Sequence, residues 1–269
     1  MISSRGFVIL AQNTVETDYV LCAVALAKSI KRVMPDSSIT LISNSPYVKS
    51  NCCYIDNVIP LPHGDLDESG KWKLVNDWQV YDASPYDYTI KLEADMYIPK
   101  SIDYWWDTLQ HRDIVISDTI RDFKGVISNN TTYRRFTQDN NLPNCYNAIT
   151  YFKKSDTAKQ FFEIVRNVFE NWNDYKTILK CNPLENVSTD WAYSIACHIL
   201  GKEKTLLPGF DEMSMIHMKQ YINGLLTENW TDTLVYEVLP DKLRINSYTQ
   251  SYPFHYHIKS FADKLLTNI

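Results

Sequence analysis

The sequence predicts an α/β protein, a mostly parallel sheet flanked by helices, within a single domain spanning residues 1–269. Three observations carry that expectation. Short apolar runs of strand character alternate with segments of helical apolar spacing through the first half of the chain. Hydrophobic residues make up 45% of the 269 positions, enough for one sizeable core. Two of the strand-like runs end in polar groups, Ala11-Gln12-Asn13 and Glu93-Ala94-Asp95. In parallel sheets with helices on both faces, ligands bind at the carboxyl ends of the strands, so both groups fall on the working edge.

The elements follow in order. Residues 6–11 form a short apolar strand. Residues 18–33 carry Tyr19, Cys22, Ala23, Leu26, Ile30 and Val33 at helical spacing, with Pro35 as a stop. A strand over 38–43 leads into a turn at Asn44-Ser45-Pro46, and 53–61 is a third strand-like run. Residues 70–81 read as a helix with Trp72, Val75 and Trp78 along it, followed by a strand over 88–93. A strand over 113–117 comes next. Residues 119–143 are polar and read as a surface loop or lid. A strand over 147–152 leads into a helix over 155–171, where Ser155 is a good N-cap and Phe161, Phe162, Val165 and Val168 form an apolar face. The last strong helix, 190–200, is stopped by Gly201. The tail alternates turns and short strands and closes on Pro253-Phe254-His255-Tyr256-His257-Ile258-Lys259.

Composition narrows the function classes. A formal net charge of −5 argues against a general nucleic-acid or membrane-surface binder. No apolar run approaches the ~20 residues of a membrane span. The N-terminus lacks the pattern of a secretory signal, so a cytoplasmic location is expected. The six cysteines (Cys22, Cys52, Cys53, Cys145, Cys181 and Cys197) include no C-x-x-C pair and are expected as reduced thiols. The sequons at Asn129, Asn130, Asn186 and Asn229 carry little weight in that setting. With 7 glycines the chain has no Walker loop, dinucleotide fingerprint or Gly-x-Ser-x-Gly elbow.

The sharpest local signal is Glu93-Ala94-Asp95. Alternate side chains of a strand share a face, so two carboxylates project together at a strand end. They repel one another, and a hard divalent cation is their natural partner. Solvated acids at a polar strand end are the plain alternative.

Six segments stand out in order: the first strand with Asn13-Thr14-Val15-Glu16-Thr17-Asp18-Tyr19; Lys71-Trp72-Lys73-Leu74-Val75-Asn76-Asp77-Trp78; Glu93-Ala94-Asp95; Tyr146-Asn147-Ala148; Thr189-Asp190-Trp191; and His255-Tyr256-His257-Ile258-Lys259. In this order they resemble the GT-A fold glycosyltransferases, and among them the retaining family 8 enzymes that use UDP-sugars, with Glu93-Ala94-Asp95 in the place of Asp-x-Asp. The resemblance covers nearly the whole chain and implies a GT-A (Rossmann-like) fold with a short C-terminal extension. Residues 1–117 would be the nucleotide-binding half. Residues 118–269 would be the acceptor half with the C-terminal metal-ligand segment. The sequence departs from the pattern at Glu93, at Ile149 in place of Gly, and at Trp191 in place of Gln. The Gly between the C-terminal His and Lys is also missing.

The resemblance further implies a metal-dependent hexosyl- or pentosyltransferase that moves a sugar from a UDP-sugar donor with retention. Glu93, Asp95 and His257 would hold Mn²⁺ or Mg²⁺, with His255 as the alternative imidazole. Ala11, Gln12, Asn13 and Tyr19 would hold uracil and ribose, and Lys73 and Lys259 would meet the donor's phosphates or sugar. Asp190 and Asn147 would act at the reaction centre. Each has a plain alternative: helix capping for Asp190, a turn for Asn147, a solvent-facing helix for Lys73, core packing for Tyr19. His217, among Met213, Met215 and Met218, reads as packing.

The acceptor is expected to be a saccharide. Residues 121–136 interleave Arg121, Lys124, Arg134 and Arg135 with Phe123, Tyr133 and Phe136. That mixture would also suit a nucleic-acid acceptor, as in a viral enzyme that modifies a DNA base. The alternative is a lid with solvated charges. The departures at Glu93 and Ile149 leave a non-catalytic nucleotide-sugar-binding protein as a further reading.

Overall fold

The computed structural model describes residues 4–45, 53–67, 70, 73–128, 134–182, 184–207 and 209–269. The first half runs β1 (Arg5–Leu10), α1 (Tyr19–Val33), β2 (Ile39–Ile42), β3 (Asn57–Ile59), a 3₁₀ segment (Lys73–Gln79) continuing into α2 (Val80–Ala83), β4 (Tyr88–Glu93), β5 (Met96–Tyr97), α3 (Trp105–Leu109) and β6 (Ile114–Ser117). The second half runs β7 (Ile120–Arg121), α4 (Arg135–Asp139), β8 (Tyr146–Lys153), α5 (Asp156–Glu170), α6 (Trp172–Ile178), α7 (Thr189–Leu200), α8 (Lys202–Thr205), β9 (Met215–His217), α9 (Gln220–Asn223), β10 (Tyr236–Leu239), β11 (Lys242–Ile245), β12 (Tyr248–Gln250), β13 (Phe254–His255) and α10 (Phe261–Asn268).

The central sheet has the order β3-β2-β1-β4-β8-β6. β1 pairs in parallel with β2 and β4, and β2 with β3, while β8 runs antiparallel to both β4 and β6. The sheet is therefore mostly parallel, as expected, with β8 reversed. Strand alternation sorts its side chains into two cores. Phe7, Ile9, Ile90 and Leu92 join the core under α1 and α10. Val8, Ile114, Ile116 and Phe152 join the core under α5 and α7. A small second sheet, β5-β13-β9-β7, continues from the end of β4, and β10-β11-β12 form an antiparallel ribbon.

The helices begin where their caps predict. Asp18 accepts from Leu21 N at 2.9 Å at the start of α1, and Ser155 accepts from Ala158 N at 3.3 Å at the start of α5. Gly201 ends α7 with φ of 106°, a conformation that L side chains rarely adopt. The helix expected over 70–81 is instead a 3₁₀ segment with one α turn; Lys71 and Trp72 lie outside the described residues. Its interior amides explain the deviation. Asn76 accepts from Leu66 N at 2.9 Å, and Gln79 donates to Gly64 O at 2.9 Å. These side chains tie the segment to the loop before it and leave no continuous polar face. The strand expected over 53–61 contracts to Asn57–Ile59. The loop expected over 119–143 contains β7 and α4; residues 129–133, Tyr133 and two sequon asparagines among them, lie outside the described residues, as do Pro46 and Cys52. Among the described residues no helix is long and apolar enough to cross a membrane.

Gly6 marks a close approach in this sheet. A Cβ there would stand 2.4 Å from Tyr86 Cζ, and the Tyr86 hydroxyl is fixed 2.8 Å from Thr40 Oγ1. Gly6→Ala is expected to cost about 1–3 kcal/mol by overpacking a buried ring. Urea denaturation measures this, and an unchanged midpoint would contradict the contact.

Candidate active site

A cleft of about 590 Å³ opens at the carboxyl ends of β1 and β4. Its floor is built where the chain leaves β4 for β5. β13 pairs antiparallel with β5, with His255 opposite Met96, and Tyr256 N donates to Asp95 O at 3.1 Å. That pairing sets His255 Nε2 3.2 Å from both Glu93 Oε2 and Asp95 Oδ2. Lys259 ion-pairs with Asp95 and lies over the Tyr19 ring, 5.3 Å from its centroid.

The two acids differ in electrostatics. Burial works against ionising Asp95, but His255 and Lys259 prevail and hold it well below its ordinary value. Burial pushes Glu93 up; His255 and Lys91 oppose the rise, and the Asp95 charge adds to it. Burial also disfavours the Lys259 ammonium, yet Asp95 leaves its value raised.

Two further histidines face the same floor. β9 pairs in parallel with β13, and His217 is the register partner of His255. His257 adopts a left-handed backbone, φ 58°, which breaks strand alternation and turns its ring beside His255. Its Nε2 stands 3.4 Å from His217 Nε2. Burial holds His217 and His257 well below the usual imidazole range, and the neighbouring histidines reinforce this. Both are therefore neutral imidazoles near pH 7, the form that ligates metal ions.

The opposite wall comes from β8 and α7. Ser188 caps α7, accepting from Trp191 N at 3.3 Å, so Asp190 is not the capping residue. The Asp190 Oδ1 accepts from Asn147 N at 2.9 Å, and Oδ2 from Arg134 Nη1 at 2.9 Å. The Arg134 guanidinium also stacks on Tyr146, 3.8 Å from the ring centroid, and donates to Asn144 and to Cys145 O. Asn147 Nδ2 is buried with no protein partner. Beneath this wall Lys91, 1% exposed, meets Asp77 Oδ1 at 2.8 Å and donates to Asn147 O at 3.2 Å, while Tyr193 donates to Asp77 Oδ2 at 2.6 Å.

Of the residues singled out from sequence, Gln12, Tyr19, Lys73, Glu93, Asp95, Asn147, Asp190, His255, His257 and Lys259 all line the cleft. Ala11 and Asn13 do not. Ala11 is buried in the core, and the Asn13 side chain accepts from Val20 N at 2.9 Å, bracing the start of α1. Lys73 is paired with Asp65 rather than projecting freely. His255, not His257, stands between the two carboxylates. Ile149 is fully buried in the core, so its replacement of Gly places no side chain in the cleft. The basic segment 121–136 is not an open binding groove among its described residues. Arg121 is paired with Asp211, Arg135 with Asp139, and Arg134 is buried against Asp190; Phe123 and Phe136 are core residues. Sequence reasoning missed Lys91 and Asp77, although a lysine inside the apolar run Ile90-Lys91-Leu92 is itself a signal. It also took His217 for packing.

No family model and no curated protein matches the chain. Solved structures do. The galactosyltransferase LgtC, solved in complex with donor and acceptor sugar analogs, superposes with a TM-score of 0.58 over 98% of this chain and 96% of its own, at 12% identity. The glycosyltransferase GlyE of Streptococcus pneumoniae TIGR4 gives a TM-score of 0.52 over 97% of this chain and 60% of its own, at 10% identity. The fold is that of the GT-A glycosyltransferases. The chain thus spans nearly the whole length of LgtC but only about three-fifths of GlyE.

The two floor acids are expected to differ in stability tests. Asp95, held low, contributes stability above the ordinary carboxylate range that is lost as pH falls through its lowered value. Glu93, held high, costs stability once ionised, and the cost disappears as pH falls through its raised value. With chelator at neutral pH, Glu93→Gln should raise the thermal midpoint. Asp95→Asn should lower stability by roughly 1–3 kcal/mol, since it strands Lys259 and His255. Thermal unfolding as a function of pH reads both, and a midpoint lowered by Glu93→Gln would refute the assignment.

Proposed function

We propose that this chain is a glycosyltransferase that moves a sugar from a UDP-sugar to a saccharide acceptor, with a divalent cation and with retention of configuration. One observation carries the reading. Two carboxylates and an imidazole converge at the carboxyl end of β4 in a GT-A sheet, with Lys259 beside them and Asp190 across the same cleft.

The residues fit a metal ion. Ligand atoms of Glu93, Asp95 and His255 lie within 4.8 Å of one another. A mixed carboxylate and imidazole set suits Mn²⁺ better than Mg²⁺. When bound, the cation would supply Lewis-acid stabilisation to a departing diphosphate. Glu93, Asp95 and His255 would hold it.

The chain's own groups divide the remaining work. Gln12 and Tyr19, at the β1 end of the cleft, would hold the nucleoside. Lys259 would present a point charge to the diphosphate. Asn147 would use its unpartnered Nδ2 on a sugar hydroxyl. Asp190 is engaged at both oxygens by Arg134 and Asn147 N, which makes it a poor general base. A fixed carboxylate can instead orient an acceptor or stabilise positive charge developing at the anomeric carbon. That favours retention, in which the leaving phosphate takes the acceptor proton.

A panel of nucleotide sugars, assayed for hydrolysis and binding with and without Mn²⁺, tests the proposal. Asp95→Ala should reduce turnover at least about 100-fold, the upper range for loss of groups that merely support a metal ligand, while the variant remains folded by circular dichroism. Failure of every nucleotide sugar to bind would overturn the function. Asp190→Asn should lower kcat with donor Kd nearly unchanged, and NMR of the product should show the donor's anomeric configuration. An inverted linkage would refute retention.

A further inference from the structure

The cleft holds two overlapping sets of metal-ligating groups. One is Glu93, Asp95 and His255, used above. The other is His217, His255 and His257, whose ligand atoms also lie within 4.8 Å of one another. We propose that the three imidazoles form a second cation position, for a borderline transition ion of the zinc class, beside the carboxylate position and independent of any nucleotide.

The geometry supports this in three ways. His217 and His255 are register partners on adjacent parallel strands, so the backbone itself places them side by side. His257 reaches them because of its left-handed backbone, a conformation uncommon for a non-glycine residue. Its ring lies against His255 with centroids 4.1 Å apart, and against His217 at 4.6 Å. The Nε2 atoms of His217 and His257 are 3.4 Å apart. Two nitrogens each about 2.0–2.1 Å from a tetrahedral zinc ion stand about 3.4 Å from one another. That separation is long for a hydrogen bond between ring nitrogens but is the span of a ligand pair.

Ligand chemistry separates the two positions. Three imidazole nitrogens favour Zn²⁺, Co²⁺, Ni²⁺ or Cu²⁺, whereas the carboxylates favour Mg²⁺ or Mn²⁺. Three histidines plus an open cleft leave a fourth coordination place for water or a ligand, the pattern of exchangeable rather than closed zinc sites. Sharing His255 links the positions. An ion on the imidazole set takes a ligand from the carboxylate set, so zinc-class ions should antagonise Mn²⁺ there.

The test uses the full chain, stripped of metal and without nucleotide, titrated with Co²⁺ as a spectroscopic probe and then with Zn²⁺. One Co²⁺ should bind with visible ligand-field absorption of low-coordinate, nitrogen-ligated cobalt, and Zn²⁺ should displace it. His217→Ala should weaken binding by at least about tenfold. Asp95→Asn should weaken it far less than His217→Ala does. If His217→Ala does not fold, His257→Asn asks the same question, because Asn tolerates the left-handed backbone. Absence of Co²⁺ binding would overturn the proposal. So would binding that persists in the histidine variant or that Asp95→Asn weakens equally, which would mean a single mixed site. None of these readouts requires sugar transfer, so failure here and failure of the glycosyltransferase reading are separable.

Discussion

Two carboxylates cannot leave water side by side at a strand end without positive charge to meet them. That constraint organises the second half of this molecule. The chain returns some 160 residues after Glu93 and Asp95 to lay β13 against β5, and that return delivers His255 and Lys259 to the acids. The small sheet β5-β13-β9-β7 is almost wholly buried, and it delivers Met215, His217 and His255 to the cleft. Trp230 packs edge to face on Phe254 and on Phe261, and Phe254 meets Phe261 at a tilt, which fixes β13 from the side away from the cleft.

The opposite wall solves a similar problem by a different route. Lys91 replaces an apolar residue in the middle of β4 and would be costly alone, but Asp77 and the Asn147 carbonyl meet it, and Tyr193 completes Asp77. Arg134 and Asp190 form a second paired set above it. Asn147 connects the two, receiving Lys91 at its carbonyl and giving its N–H to Asp190. The position of Asp190 is therefore held by a chain of contacts that runs down through the sheet. A substitution at Arg134 or Lys91 would therefore shift Asp190, directly or through Asn147.

How far the sequence disclosed this depends on the range of the forces involved. β4 was legible to the residue, since a short run rich in Tyr, Thr, Ile and Leu and bounded by turn residues is a local feature. So were α5 and the end of α7, where Ser155 and Gly201 act on their nearest neighbours. The reversal of β8 was not legible, because hydrophobic period says nothing of strand direction. The 3₁₀ turn over Lys73–Gln79 was read as helix, because its side-chain ties to residues 64 and 66 are tertiary. His217 sits in a strand of three residues, too short for periodicity, and its partner is 38 positions away. Arg134 read as part of a basic surface because its carboxylate lies 56 positions further on. The order of short motifs located the cleft; pairing between distant segments decided which side chain in each motif faces what.

Charge distribution then separates the cleft into two regions. At the floor, Asp95 is neutralised by Lys259, while Glu93 shares His255 and stays poorly compensated, as its upward shift records. The rest of the lining holds Lys73 and Lys219 in half-buried positions, alongside Lys259. Positive charge is thus favoured at the depth of Glu93, whereas Lys73 and Lys259 each already face a carboxylate, Asp65 and Asp95. Lys259 belongs to both regions. Its ammonium is the positive charge that meets Asp95, and it lies over the Tyr19 ring at the same edge of the cleft. One side chain of intermediate exposure thereby ties the acid at the end of β4 to the start of α1, with burial opposing its charge and Asp95 sustaining it.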